Sequence, residues 1–166
     1  MVTSIYTSQL GVFQIVAEGD ELKGLFLEGF QPFAIGISDD NAPVISAVKQ
    51  WLDRYFAGEK MSIEELKLNP DGSPFRKTVW QLLCEIPYGE TVTYGDIAKK
   101  AAVILGKEKM SAQAVGGAVG ANPIPIIIPC HRVVGADKKL TGFGLGMERK
   151  KQLLAIEGID LSEYRE

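Results

Sequence analysis

The chain has 166 residues, 46% of them hydrophobic and 23% charged, with a formal net charge of −3. That length suffices to bury a core without staples, and the mix is ordinary for a soluble globular protein. The charge is uneven: residues 1–70 hold 5 Lys and Arg against 10 Asp and Glu, a balance of −5, whereas residues 71–151 hold 12 against 7, a balance of +5.

The first third reads as short strands. "SIYTSQLGVFQIVAEGDELKGLFLEG" alternates apolar and polar residues, with turn signals at Leu10-Gly11 and Glu18-Gly19-Asp20. Phe13, Ile15 and Ala17 share one face, and Leu22, Gly24 and Phe26 share a face of the next run, which predicts an antiparallel sheet. "APVISAVKQWLDRYFAGEK" predicts an amphipathic helix with Pro43 in its first turn, a stripe of Val44, Ala47, Val48, Trp51, Leu52 and Tyr55, and Gly58 at its end.

Turn-rich "LNPDGSPF" marks a boundary, so the chain divides into a domain over 1–67, a linker over 68–74 and a helical domain over 75–166. "SPFRKTVWQLLCEI" has Ser73 as cap and Pro74 at the first helical position. "TVTYGDIAKKAAVIL" has Thr93 as cap with Asp96 three residues on, an acidic capping box. "MSAQAVGGAVGANP" predicts a helix of very small residues capped by Ser111. Two short helices joined by a turn fit either a helix-turn-helix or an ordinary helical hairpin with small residues for tight packing. "MERKKQLLAIEGI" predicts a last helix with Leu153, Leu154 and Ile156 inward.

No basic start with an apolar run marks a signal peptide, and no apolar stretch is long enough to span a bilayer. Two cysteines 46 positions apart make no disulfide framework, which fits a reducing cytoplasm, or the nucleus of a eukaryotic cell. With a single histidine they also argue against a structural zinc site.

Chemistry concentrates in "IPIIIPCHRVVG". Ile124–Ile128 predicts a buried strand. A thiol becomes a nucleophile only as thiolate, and Cys130 is followed at once by His131 and Arg132, with Glu157 downstream. Neighbours on a strand point to opposite faces, so cooperation of Cys130 with His131 needs a bend, for which Pro129 gives a reason. Such a bend places both residues in one pocket. The alternative is an inert buried cysteine, the reading given to Cys84 within "WQLLCEI". A cysteine beside a histidine also fits a hydrolase.

"NPIPIIIPCHRVVG" resembles the active-site signature of the O6-alkylguanine-DNA alkyltransferases (methylated-DNA–protein-cysteine methyltransferases). "GETVTYGDIA" and "SAQAVGGAVGANP" resemble that family's two DNA-binding helices, and "LTGFGLG" with "RKKQLLAIEG" the loop and helix closing its pocket. The resemblance covers roughly residues 74–158. It implies an α+β fold, with a small ribonuclease H-like amino-terminal domain of antiparallel sheet and helix before a helical domain carrying a winged-helix-like helix-turn-helix. It also implies direct repair of O6-alkylguanine, with O4-alkylthymine as a further candidate. Cys130 would take the alkyl group irreversibly, once per molecule, without a cofactor or metal.

On the same resemblance His131 would be the base, acting through a water, with Glu157 orienting it. Asn122 would tie the small-residue helix to the active-site segment, and Tyr94 would donate to the leaving base. Val133, Gly144, Phe143, Gln113 and Arg132 would face the substrate. Thr93, Ala114, Gly116, Gly117 and Ala118 would meet DNA in its minor groove, from which the base is flipped. The partner implied is double-stranded DNA bound by a monomer, with no membrane. A sensor that binds the lesion without repairing it is the alternative. Read alone, Tyr94 also fits a packing aromatic, Asn122 a cap and Glu157 a solvated charge. The sequence departs from the family at Gln113, where an arginine is usual, at Phe143, usually tyrosine, and at Leu145, usually glycine. Gln113 predicts weaker DNA binding or flipping with intact chemistry. Leu145 fits a positive φ poorly, so the loop is reshaped or that position is less constrained.

Overall fold

The computed structural model describes residues 1–166 and divides into two compact units, Met1–Asp71 and Gly72–Glu166. In the first, β1 (Val2–Ser8), β2 (Gly11–Glu18) and β3 (Glu21–Leu27) form an antiparallel meander, and the short β4 (Ile37–Ser38) pairs in parallel with β1, giving the order β3-β2-β1-β4. Phe13, Ile15 and Ala17 are fully buried, as the alternation predicts. On β3 the predicted face changes part-way. The register shifts opposite Val16 and Ala17, so Lys23 is an extra residue, and the buried set runs Leu22, Leu25, Leu27 with Phe26 half-buried. One bulge inverts the parity of everything beyond it.

α1 (Pro43–Phe56) belongs to the same unit and buries Ile45, Val48, Trp51, Leu52 and Tyr55. Its apolar stripe is turned from the predicted one, for Ala47 is exposed and Ile45 takes its place. Leu68 bridges to Leu22, and Asn69 N–H donates to the Leu22 carbonyl, so both residues are part of the sheet unit.

The second unit holds α2 (Pro74–Cys84), α3 (Tyr94–Leu105), α4 (Ala112–Gly120) and α5 (Met147–Ile156), with a two-stranded parallel sheet of β5 (Val92–Thr93) and β6 (Val133–Val134). The helix starts follow their caps. Ser73 accepts from Arg76 N–H at 3.2 Å and Ser111 from Ala114 N–H at 3.0 Å, while Thr93 and Asp96 form the reciprocal capping box. α2, α3 and α4 pack on one another, and Trp80 Nε1 donates to the Ala118 carbonyl at 2.8 Å, fixing α4 on α2. The α3–turn–α4 pair is thus a helix-turn-helix built on a packed third helix. Val134, Leu140 and Leu154 make a separate small core that seats α5. No helix is long and apolar enough to cross a membrane.

Residues 124–128 are not a strand. They form a buried series of turns, and the reason is the spacing of Pro123, Pro125 and Pro129, which remove three backbone donors from seven positions. Local bonds replace a ladder: Ile127 N–H donates to Pro125 O at 2.9 Å, Ile128 N–H to Ile124 O at 3.0 Å and Cys130 N–H to Ile128 O at 2.7 Å. Ile126 carries a φ of +74°, a strained position for a β-branched residue. Strain of about 1–3 kcal/mol is matched by full burial of its side chain, which contributes a similar amount.

Candidate active site

Asn122 organises the segment that presents the cysteine. Its Nδ2 donates to Ile128 O at 2.9 Å and its Oδ1 accepts from Ile124 N–H at 3.0 Å, so one buried side chain satisfies both ends of the turn series just after α4. Cys130, His131 and Arg132 follow as one tight 3-10 turn, and all three are buried. This turn is the bend that the adjacency of Cys130 and His131 requires.

Cys130 is 5% exposed and lines a cavity of about 50 Å³ with Tyr94, Gly116, Asn122, Phe143 and Leu145 among its walls. That volume holds a few water molecules. Burial pushes the thiol above its ordinary range, and hydrogen bonding from Asn122, the charge of Lys150 and the backbone amides of Cys130 and Ile126 act against that rise. The strained turn at Ile126 therefore aims an amide at the sulfur. Cys84, half-buried, is pushed up to about 11 by desolvation and by the charge of Glu85, which outweigh the opposing charge of Arg132.

His131 is fully buried and does not line the cavity. It sits behind the cysteine, its Nε2 2.5 Å from Glu157 Oε2. Arg132 Nε donates to Glu157 Oε1 at 2.8 Å and its Nη1 to Ile86 O at 2.7 Å, with the guanidinium over the Tyr88 ring. Gly89 N–H donates to the same Glu157 oxygen at 3.0 Å. Burial alone would raise the Glu157 carboxyl, but its bonds and charge interactions with His131 and Arg132 prevail and hold it down to about 2. Burial likewise lowers the His131 pKa despite Glu157, which leaves the imidazole neutral at physiological pH. With Nε2 committed to the carboxylate, Nδ1 is the nitrogen available for a proton arriving from the thiol.

Other predicted residues fall into two groups. Tyr94, Asn122, Gly116, Phe143 and Gly144 line the cavity with Cys130, and the Tyr94 hydroxyl lies 3.5 Å from Gly142 O. Gln113, Ala114 and Gly117 are exposed together on α4, and Thr93 is the α3 cap. Two residues stand elsewhere than expected. Arg132 points into the protein, since its donors are taken by Glu157 and Ile86. Ala118 is buried against α2 through the Trp80 bond, so it supports α4 from behind. His131 is a third correction, being adjacent to the cavity wall and not part of it, and Val133 a fourth: it is fully buried away from the cavity lining, with its carbonyl accepting from Lys150 Nζ.

Residues 74–159 match the 6-O-methylguanine DNA methyltransferase DNA-binding domain, and residues 1–70 match that family's ribonuclease-like domain. The chain belongs to the 6-O-methylguanine DNA methyltransferase family. A methylated-DNA–protein-cysteine methyltransferase of Haemophilus influenzae is 41% identical over 93% of this chain and 84% of its own. One from Methanosarcina acetivorans is 42% identical over 95% of this chain and 99% of its own. Among solved structures, Mycobacterium tuberculosis OGT in complex with DNA superposes with a TM-score of 0.85, at 36% identity, covering 99% of this chain and 96% of that one.

Against the methyltransferase signature, the pocket loop resolves one expected conflict. Leu145 has no positive φ; Gly146 beside it takes the value of +91°. The Leu145 side chain turns inward, 5% exposed, onto the cavity wall. Lys150 is the buried residue that reading the motifs missed. A signal for it exists: it precedes Leu153 by three and Leu154 by four, the spacing of one helix face.

Proposed function

We propose that this chain repairs alkylated DNA directly, moving the alkyl group from guanine O6 to the Cys130 sulfur once per molecule. The observation that carries this reading is the placement of Cys130 on a small cavity in front of the buried His131–Glu157–Arg132 network. In the reaction the thiol proton passes to His131 Nδ1 across a water, the sulfur attacks the alkyl carbon, and the carbon–O6 bond breaks with its electron pair going to the base. Tyr94, at the mouth of the cavity, supplies a proton to the departing guanine, which leaves as the normal base. A thioether is a poor leaving group, so the product is permanent.

Double-stranded DNA is the partner, entered from its minor groove by the exposed small residues of α4 and bound by a monomer in the compartment that holds the genome. A DNA complex exists for a relative with the same fold and 36% identity.

Incubation with a duplex carrying one O6-methylguanine, followed by weighing the protein, tests the reading. The expected result is one methyl group per molecule on the Cys130 peptide, absent from Cys130→Ser. Tight lesion binding with no adduct would instead assign a damage sensor, and repeated turnover of an ester would assign a hydrolase.

A further inference from the structure

The cationic side chain of Lys150 is fully buried in the core, an environment that ordinarily excludes an unpaired ammonium. Its Nζ donates to Val133 O at 2.6 Å and to Thr141 O at 3.2 Å, and lies 6.0 Å from the centre of the Phe143 ring. Val133 opens β6 directly after the Cys130–Arg132 turn, and Thr141 precedes the cavity-lining Gly142 and Phe143, so the lysine joins the segment that carries Cys130 to the cavity loop. Carbonyls and a ring face, however, supply no full negative charge.

The charges around it leave one place for a counter-ion. From the 3-10 turn come His131, held neutral, and Arg132, whose guanidinium is paired with Glu157. Glu157, at the end of α5, is the nearby carboxylate and is saturated by His131, Arg132 and Gly89. Lys150 has no carboxylate partner of its own. Tyr94 is the remaining titratable group on the cavity wall. The group that Lys150 and Cys130 each feel electrostatically is the other: burial lowers the lysine to about 8, and the cysteine charge opposes that drop. A neutral thiol leaves the buried cluster with one surplus positive charge; a thiolate balances it.

We propose that Lys150 is the counter-cation of the Cys130 thiolate, a positioning residue that makes the attacking sulfur available and holds the cavity loop to β6, the strand that follows the Cys130 turn. The inference rests on Cys130 being the alkyl acceptor. It assigns a separate origin to the two requirements of the nucleophile: His131 removes the proton, and Lys150 stabilises the charge left behind. The two groups titrate as a coupled pair, with the first proton lost from the pair and the second retained to higher pH.

The test compares the pH dependence of iodoacetamide modification at the Cys130 peptide in the parent, Lys150→Met and Lys150→Arg, without DNA. Removing the cation raises the thiol midpoint by one unit or more, so modification below it slows about tenfold, and the deficit closes above the new midpoint. Lys150→Arg keeps the charge and stays near the parent midpoint. A purely structural lysine would change stability and leave the midpoint alone, so a folded Lys150→Met with the parent midpoint overturns the proposal.

Should Lys150→Met not fold, the lysine is followed instead by NMR titration of its ε-methylene in the parent and in Cys130→Ser. The parent holds its ammonium to higher pH; equal midpoints overturn the proposal. Because neither measurement uses DNA, a chain that forms the ion pair yet gains no methyl group would leave the pair standing and remove the acceptor reading.

Discussion

Glu157 accepts from an imidazole, a guanidinium and a backbone amide, and its carboxyl stays ionised to about pH 2 although buried. Glu157→Gln keeps the shape and removes the charge, which leaves Arg132 as a buried unpaired cation. Breaking such a pair from one side costs about 3–5 kcal/mol, so thermal unfolding should shift down by several degrees, with repair slowed as well. The sign of the pH effect follows from a folded pKa below the ordinary 4.5: the stabilisation is complete above pH 4.5 and drains away as pH falls towards 2. Urea melts across that window should show an acid-labile limb in the parent and a flatter one in Glu157→Gln. Parallel limbs would mean that another carboxylate governs acid unfolding. Only the family resemblance joined Glu157 to His131, 26 residues apart, because nothing local says that the end of α5 returns to the cysteine turn. Arg132 was misplaced for a related reason: charge beside a reactive thiol suggests a substrate contact, whereas burial of Glu157 demands a cation inside.

At the scale of elements, the helix caps were legible because each cap is a local hydrogen bond between residues three apart, as at Thr93–Asp96 and Ser111–Ala114. The Ile124–Ile128 run was not, since an apolar stretch of that length suits a strand and only the proline spacing and the Asn122 side chain turn it into loops. The same distinction makes α4 testable. A Cβ added at Gly117 meets nothing within 4 Å, and Gly117 has no positive φ, so nothing inside the protein requires glycine there. Glycine within a helix is unfavourable by about 1 kcal/mol relative to alanine, which points to a requirement from outside, the close approach of DNA. Gly117→Ala should therefore raise the melting temperature by about 2–4 °C for that 1 kcal/mol while weakening binding to duplex DNA. Gln113, exposed on the same helix, should act in the opposite sense: Gln113→Arg restores charge and a planar fork, and speeds repair of an O6-methylguanine duplex. Stopped-flow repair rates on the two variants check both; equal affinities for parent and Gly117→Ala would place the DNA on another face.

Across the whole molecule, the acidic first 70 residues and the basic stretch over 71–151 offset each other, so long-range attraction to a polyanion is modest in total and depends on local cations. The turn between α3 and α4 concentrates them, with Lys107 and Lys109 exposed beside the small-residue helix and Lys99 and Lys100 exposed on α3. Phosphate contacts position a protein on DNA without reading sequence or damage, and each one removed lowers the dependence of log affinity on log salt by about 0.9. Lys107→Gln combined with Lys109→Gln should thus weaken binding equally for methylated and unmethylated duplexes and flatten that dependence by up to about 2 in slope. Methyl transfer at saturating DNA should keep its parent rate, because neither lysine lines the Cys130 cavity. Fluorescence-anisotropy titrations at several salt concentrations, paired with single-turnover rates, measure the two quantities separately. A fall in the saturated rate would tie this turn to base flipping, and an unchanged salt slope would mean that the DNA backbone lies along a different set of cations.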